Sequence, residues 1–256
     1  MKKIFFSIIA LFLLNTGMSA QVDQSPEVGV VEHLGNILPL DLKFTNDKSE
    51  PVTLRQLINK PTILSFVYFD CPGLCSPLLE GVGDVIRKTD MDLGKDYQVI
   101  TISFNYRDTP QKAKEKKTRF VERYSKGHEA GWIFLTTDSV TIYKITHATG
   151  FITKAVGLDF VHPSAIIAIS PQGKITRYLY GVTFQPIDFK MALIEANKEQ
   201  PRPSIQKVLM MCYSYDPQGQ RYSLDVLKVT GILILFFIVV FIIVYLIKPK
   251  KKKIQN

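Results

Sequence analysis

Three short apolar runs stand out along the chain, at residues 62–69, 97–104 and 132–135. Each is rich in β-branched and aromatic residues and predicts a buried strand rather than a helix. Between them the period changes. Leu78 to Met91 carries apolar residues at helical spacing, opened by Cys75. A polar helix is predicted after Asp108-Thr109-Pro110, where Asp or Thr caps and Pro takes the first turn. Asp138 is placed to cap a further helix to His147, closed by Gly150. Residues 165–169, the turn Ser170-Pro171-Gln172-Gly173 and residues 174–178 read as a hairpin, and Pro186 opens a last helix that fades near Asn197. Upstream, Leu42-Lys43-Phe44, a polar turn over 45–50 and Val52-Thr53-Leu54 predict an opening hairpin, with Thr53 capping a short helix to Ile58. Strands alternating with helices, then an antiparallel hairpin, predict an α/β fold with a mixed sheet covered on both faces.

Both ends are apolar, in different ways. Lys2-Lys3, an apolar run to Leu14 and the small-residue site Met18-Ser19-Ala20 predict a signal peptide over residues 1–20, cut after Ala20. No cysteine follows Ala20 to serve as a lipoprotein acceptor. Residues 229–247 are apolar apart from Thr230 and Gly231. At roughly 1.5 Å each they span the roughly 30 Å hydrocarbon core, which predicts a transmembrane helix rather than a buried soluble one. The lysine-rich tail 248–256 then belongs in the cytoplasm. The expected organisation is a domain over 27–199 on the outer (periplasmic) side of the cytoplasmic membrane, a polar tether over 200–228 and a C-terminal anchor. The tether has room for a short helix around Ser204 to Met211.

This layout redistributes the charge. Lys2, Lys3 and the five tail lysines account for seven of the formal net charge of +9, which leaves +2 for everything between. The outer domain thus lacks the basic character that nucleic-acid binding wants. Its one dense cluster, over 111–119, reads as the solvated face of a helix.

The candidate chemistry lies in Cys71-Pro72-Gly73-Leu74-Cys75, where the first strand hands over to a helix. Unpaired N–H groups and the positive end of the dipole there favour thiolate, the form that attacks disulfides and binds soft metals. The third cysteine, Cys212, is left over near the membrane in Met210-Met211-Cys212, a second soft cluster or simple packing. Of the four histidines, His162 in Phe160-Val161-His162-Pro163-Ser164 leads into the hairpin and can return to the edge where the cysteines lie. His147 suits a helix C-terminus, His128 lies in a polar turn, and His33 is near the N-terminus. Two thiolates and an imidazole suit copper, whereas structural zinc would want a fourth ligand.

These residues carry a resemblance. Ser65 to Cys75 resembles the C-x-x-x-C copper loop of the Sco/SenC family, Arg107-Asp108-Thr109-Pro110 its D-T-P segment, and Trp132-Ile133-Phe134-Leu135-Thr136-Thr137 its W-x-x-L-T-G segment. Val161-His162-Pro163-Ser164-Ala165 falls where that family keeps a copper-binding histidine. The resemblance covers about Val30 to Ala196. It implies a thioredoxin-like fold, copper ligation by Cys71, Cys75 and His162, and a role in assembling the copper centre of cytochrome c oxidase subunit II or a related respiratory oxidase. Other copper chaperones or thioredoxin-like reductants are implied as further partners. The chain departs from the pattern in having Ser76 where Pro is common, Asn105-Tyr106 where an acidic residue is often found, and its anchor at the C-terminus.

Three readings follow. A copper metallochaperone uses all three residues. A membrane-tethered thiol–disulfide oxidoreductase uses Cys71 and Cys75 as its catalytic pair and has no need of His162. A peroxide-reducing relative would need Thr and Arg beside the thiol, a spacing that Thr62 and Arg87 do not provide. A static disulfide is a poor fourth, because so short a loop removes little chain entropy.

Overall fold

The computed structural model describes residues 28–203 apart from 72, 74, 126 and 158, together with 213–216, 221–224, 231, 234–238 and 240–243. In chain order its elements begin with β1 (Gly29–Val30), β2 (Lys43–Asn46), β3 (Pro51–Thr53), α1 (Leu54–Leu57), β4 (Thr62–Val67) and α2 (Cys75–Lys88). β5 (Gln98–Ser103), α3 (Pro110–Tyr124), β6 (Trp132–Thr136), α4 (Ser139–Ala148), β7 (Phe151–Ile152), β8 (Lys154–Val156) and β9 (Asp159–Val161) follow. The chain continues through β10 (Ala165–Ile169), β11 (Ile175–Tyr180), α5 (Pro186–Asn197), β12 (Tyr213–Asp216) and β13 (Arg221–Leu224).

The main sheet runs β11-β10-β4-β5-β6-β2-β3. β4, β5 and β6 are parallel, and antiparallel pairs flank them on both sides. Every residue of β4, β5 and β10 is buried. That is why these segments read as continuous apolar runs: a strand covered on both faces has no solvent side to alternate with. α2 packs on α3 and α5, and α5 lies against β10, β11 and β4. This is the expected mixed, thioredoxin-like sheet flanked by helices.

The caps set the element boundaries. Thr53 and Gln56 form a reciprocal capping box on α1, the Asp138 carboxylate accepts from the Val140 and Thr141 N–H groups, and Thr109 caps α3. Asp108 is therefore free for another role. Gly150, at φ 63°, ends α4 and hands its carbonyl to the Val31 N–H at 2.8 Å.

Several expectations need correction. α2 opens on Cys75 as expected but ends at Lys88, short of Met91. The cluster over 111–119 is not wholly a solvated face, since Lys116 is buried on α3 and Lys117 turns in to pair with Asp47 at 3.2 Å. The β8–β9 hairpin just before His162 has no clear sequence signal, because its strands are three residues long and mostly exposed. Within residues 200–228, predicted as a polar tether, β12 and β13 pair antiparallel. The short helix around 204–211 falls outside the described residues, as do residues 1–27 and 248–256. Among the described residues no helix is long and apolar enough to cross a membrane. The described part of 229–247 is helical, and its apolar side chains are exposed.

Candidate metal centre

Strand register assembles the site. β10 runs antiparallel to β4 with Ile166 opposite Ser65 and Ile167 opposite Leu64. Continuing that register backwards from Ile166 brings the segment around His162 alongside the end of β4, where the cysteine loop begins. The loop folds back at once, its Cys71 N–H donating to the Tyr68 carbonyl at 3.3 Å, and α2 opens on Cys75. The result is one cluster in which the ligand atoms of Cys71, Cys75 and His162 all lie within 4.8 Å of one another. Among the described residues it is the one group of three or more such side chains so placed.

Each donor atom is held. The Cys75 Sγ is fully buried, accepts from the Tyr68 N–H at 3.4 Å, and lies 3.4 Å from His162 Nε2. Cys71 Sγ is half-buried and accepts from the Gly73 N–H at 3.3 Å. His162 Nδ1 lies 3.0 Å from the Pro163 carbonyl, which can only accept. Nδ1 therefore carries the proton, and Nε2 turns its lone pair towards Cys75. The rings of Phe104 and Tyr68 enclose the imidazole, and its burial lowers the His162 pKa, keeping it in the neutral, ligating form.

The two thiols are not equivalent. Burial pushes Cys75 well above the ordinary thiol range, only partly offset by the Tyr68 N–H. Burial also raises Cys71, but donation from the Cys75 backbone and thiol, the Gly73 N–H and the Tyr68 hydroxyl outweighs it, and the net direction is downward. In the reduced, metal-free protein iodoacetamide should therefore modify Cys71 first, by about tenfold or more over Cys75. Peptide mapping at short reaction times checks this, and equal rates would contradict the asymmetry.

Beneath the loop lies a polar support that the sequence did not reveal. The buried Asp108 carboxylate accepts from the Phe69 N–H at 2.7 Å and from the Ser103 hydroxyl at 2.6 Å. Lys112 lies 3.8 Å from its other oxygen and pairs with Asp70 as well. Asn105 turns instead to Arg107, accepting from its N–H at 3.1 Å. The nearest sequence signal for Asp108 is the helix-start pattern, which points to a cap rather than a clamp.

The remaining histidines stay apart from this group. His33 Nδ1 faces the Ala148 carbonyl at 3.1 Å, and His33 and His147 line a cleft of about 570 Å³ that meets the site through Phe104, the ring beside His162. His128 is exposed at the start of a short 3-10 turn. Met210, Met211 and Cys212 lie outside the described residues.

Two sulfurs and one neutral imidazole nitrogen form a soft set of low coordination number, and their chemistry fits a copper ion. The comparisons with known proteins agree with the geometry. The SCO1/SenC family model matches residues 36–195. The SCO1 protein homolog of Bacillus subtilis (strain 168) is 25% identical over 149 residues, 57% of this chain and 75% of the relative. A solved protein of Aquifex aeolicus VF5 shares 32% identity over 64% of this chain and 95% of its own, with a TM-score of 0.58. A SCO1/SenC family lipoprotein of Bacillus anthracis str. Ames, 18% identical over 66% of this chain and 98% of its own, has the same fold at a TM-score of 0.54. The matched span runs from before β2 nearly to the end of α5 and contains all three clustered side chains, and the chain belongs to the SCO1/SenC family.

Proposed function

We propose that this protein is a copper carrier that holds one ion between Cys71, Cys75 and His162 and serves the assembly of cytochrome c oxidase. The observation that carries this reading is the His162 Nε2 lone pair turned onto the buried Cys75 sulfur at 3.4 Å. A dithiol reductant needs the two sulfurs alone and gains nothing from an imidazole locked in that tautomer. Loading requires both thiols to lose their protons, while neutral His162 has none to lose at Nε2. Cys71, on the accessible rim, is the sulfur that a recipient's ligand reaches first, with Cys75 and His162 behind it. BsSco, whose solved structure identifies a disulfide switch, is a member of the Sco family of cytochrome c oxidase assembly proteins. The recipient proposed here is subunit II of that oxidase or a related respiratory oxidase.

The same sulfurs cannot ligate a metal and form a disulfide at once. The full chain in detergent should load one copper with the pair reduced and none tightly after mild oxidation, measured by chelator competition and metal analysis. Equal loading in both thiol states would sink the shared-site reading.

The proposed setting is the outer face of the cytoplasmic membrane, with residues 1–20 removed and 229–247 as anchor. Supporting this, the helical residues Ile234 to Ile238 and Val240 to Ile243 expose nine apolar side chains. Such a surface is at home in hydrocarbon and costly in water. Protease added outside intact spheroplasts should remove the copper domain, and a protected domain would overturn the placement.

A further inference from the structure

Lys116 is a buried cation without an anion. Its side chain rises from α3 beneath the cysteine loop, and the residue is 8% exposed. Nζ donates to the Phe69 carbonyl at 2.9 Å and reaches the Ser76 hydroxyl at 3.5 Å. These two contacts bracket the loop, since Phe69 precedes Cys71 by two residues and Ser76 follows Cys75 directly. The ring of Phe120 lies 5.9 Å from the ammonium. No carboxylate among the described residues pairs with it, and the nearby Asp70 is held by Lys112. A buried charge is normally paired, because leaving water without a counter-charge is costly. Burial lowers the Lys116 pKa, and charge on Cys75, Cys71 and Asp70 opposes that shift; with Asp70 held by Lys112, the groups left to balance the ammonium are the two thiols.

We infer that Lys116 is the counter-charge of the metal–thiolate centre and biases that centre towards the monovalent ion. The inference rests on the copper reading of Cys71, Cys75 and His162. Two thiolates and one neutral imidazole around Cu(I) carry a net charge of −1, and around Cu(II) they carry none. A fixed ammonium in a site of low dielectric stabilises the first complex and is nearly indifferent to the second. Ser76, at a position where Pro is common in this family, supplies the hydroxyl that helps hold the ammonium under the loop. Lys116 is thus a positioning and selectivity residue rather than a ligand.

The test compares wild type with Lys116→Met, Lys116→Gln and Lys116→Arg as full chains in detergent, measuring Cu(I) and Cu(II) affinities separately by chelator competition. The neutral variants should lose about tenfold or more in Cu(I) affinity and less than about threefold in Cu(II) affinity, with Lys116→Arg recovering the Cu(I) preference. The potential of bound copper should fall by about 59 mV for each tenfold difference between the two losses. Equal losses for both ions would reduce Lys116 to a packing role, and unchanged Cu(I) affinity would remove it from the site; either result overturns the inference. If the wild type binds neither ion, the copper reading itself has failed, and the inference that rests on it is overturned with it.

Discussion

Cys75→Ser should abolish tight copper binding by the full chain, with a loss well beyond the roughly 10–100-fold typical of removing a ligand's outer partner. Serine can occupy the buried position and donate its hydroxyl to His162 Nε2, so the fold should survive, but its oxygen is a poor donor to a soft ion. Circular dichroism on the same sample separates lost binding from lost structure. His162→Ala should behave differently. Cu(I) keeps both thiolates and weakens modestly, whereas Cu(II), which relies more on the imidazole, weakens more. Retained tight binding in Cys75→Ser, or equal affinity for both ions in His162→Ala and wild type, would remove that residue from the site.

Asp108→Ala should damage stability and copper affinity together. The carboxylate sits in a side chain with no exposed surface and satisfies the Phe69 N–H and the Ser103 hydroxyl. Removing it strands two buried donors, each worth about 1–3 kcal/mol when left unpaired, so a loss of about 2–6 kcal/mol is expected in denaturant unfolding. The same change frees the backbone two residues before Cys71, so copper should dissociate faster even from the folded fraction. Asp108→Asn keeps an acceptor oxygen and should recover part of the stability. If Asp108→Ala unfolds at wild-type denaturant concentration, the clamp is not structural. If it is destabilised but releases copper at the wild-type rate, the clamp does not reach the site.

Much of this was readable along the chain. The runs now seen as β4, β5, β6 and β10 announced themselves because strands buried on both faces are mostly apolar, with the few polar side chains satisfied internally, as Ser65 and Thr101 are by each other at 2.9 Å. Thr53, Thr109 and Asp138 marked helix starts through side chains that satisfy orphan N–H groups, a local effect. Short ladders have no such signal: β8–β9 before His162, β1–β7, and the pairing of β12 with β13 within the predicted tether. Strands of two to four residues carry too few positions for a period to show, and β2–β3 is legible through the polar turn between its strands.

The site divides along the same line. Local sequence by itself determined the thiol pair at a strand-to-helix junction, because a strand end, a tight loop and a helix start lie within a dozen residues and depend on no distant contact. Distant contacts decided everything that distinguishes this pair from any other. The antiparallel register of β10 on β4 brings His162 to Cys75 across 87 residues of chain. The packing of α3 under the loop turns Lys116, one cation in a run that looks solvated, into a buried charge held against both ends of the cysteine loop. Asp108, which reads as a cap, becomes the clamp on the loop. Periodicity and capping are properties of neighbouring residues, whereas burial and the meeting of charges depend on which elements the fold lays together, and that information is not local to any stretch of the chain.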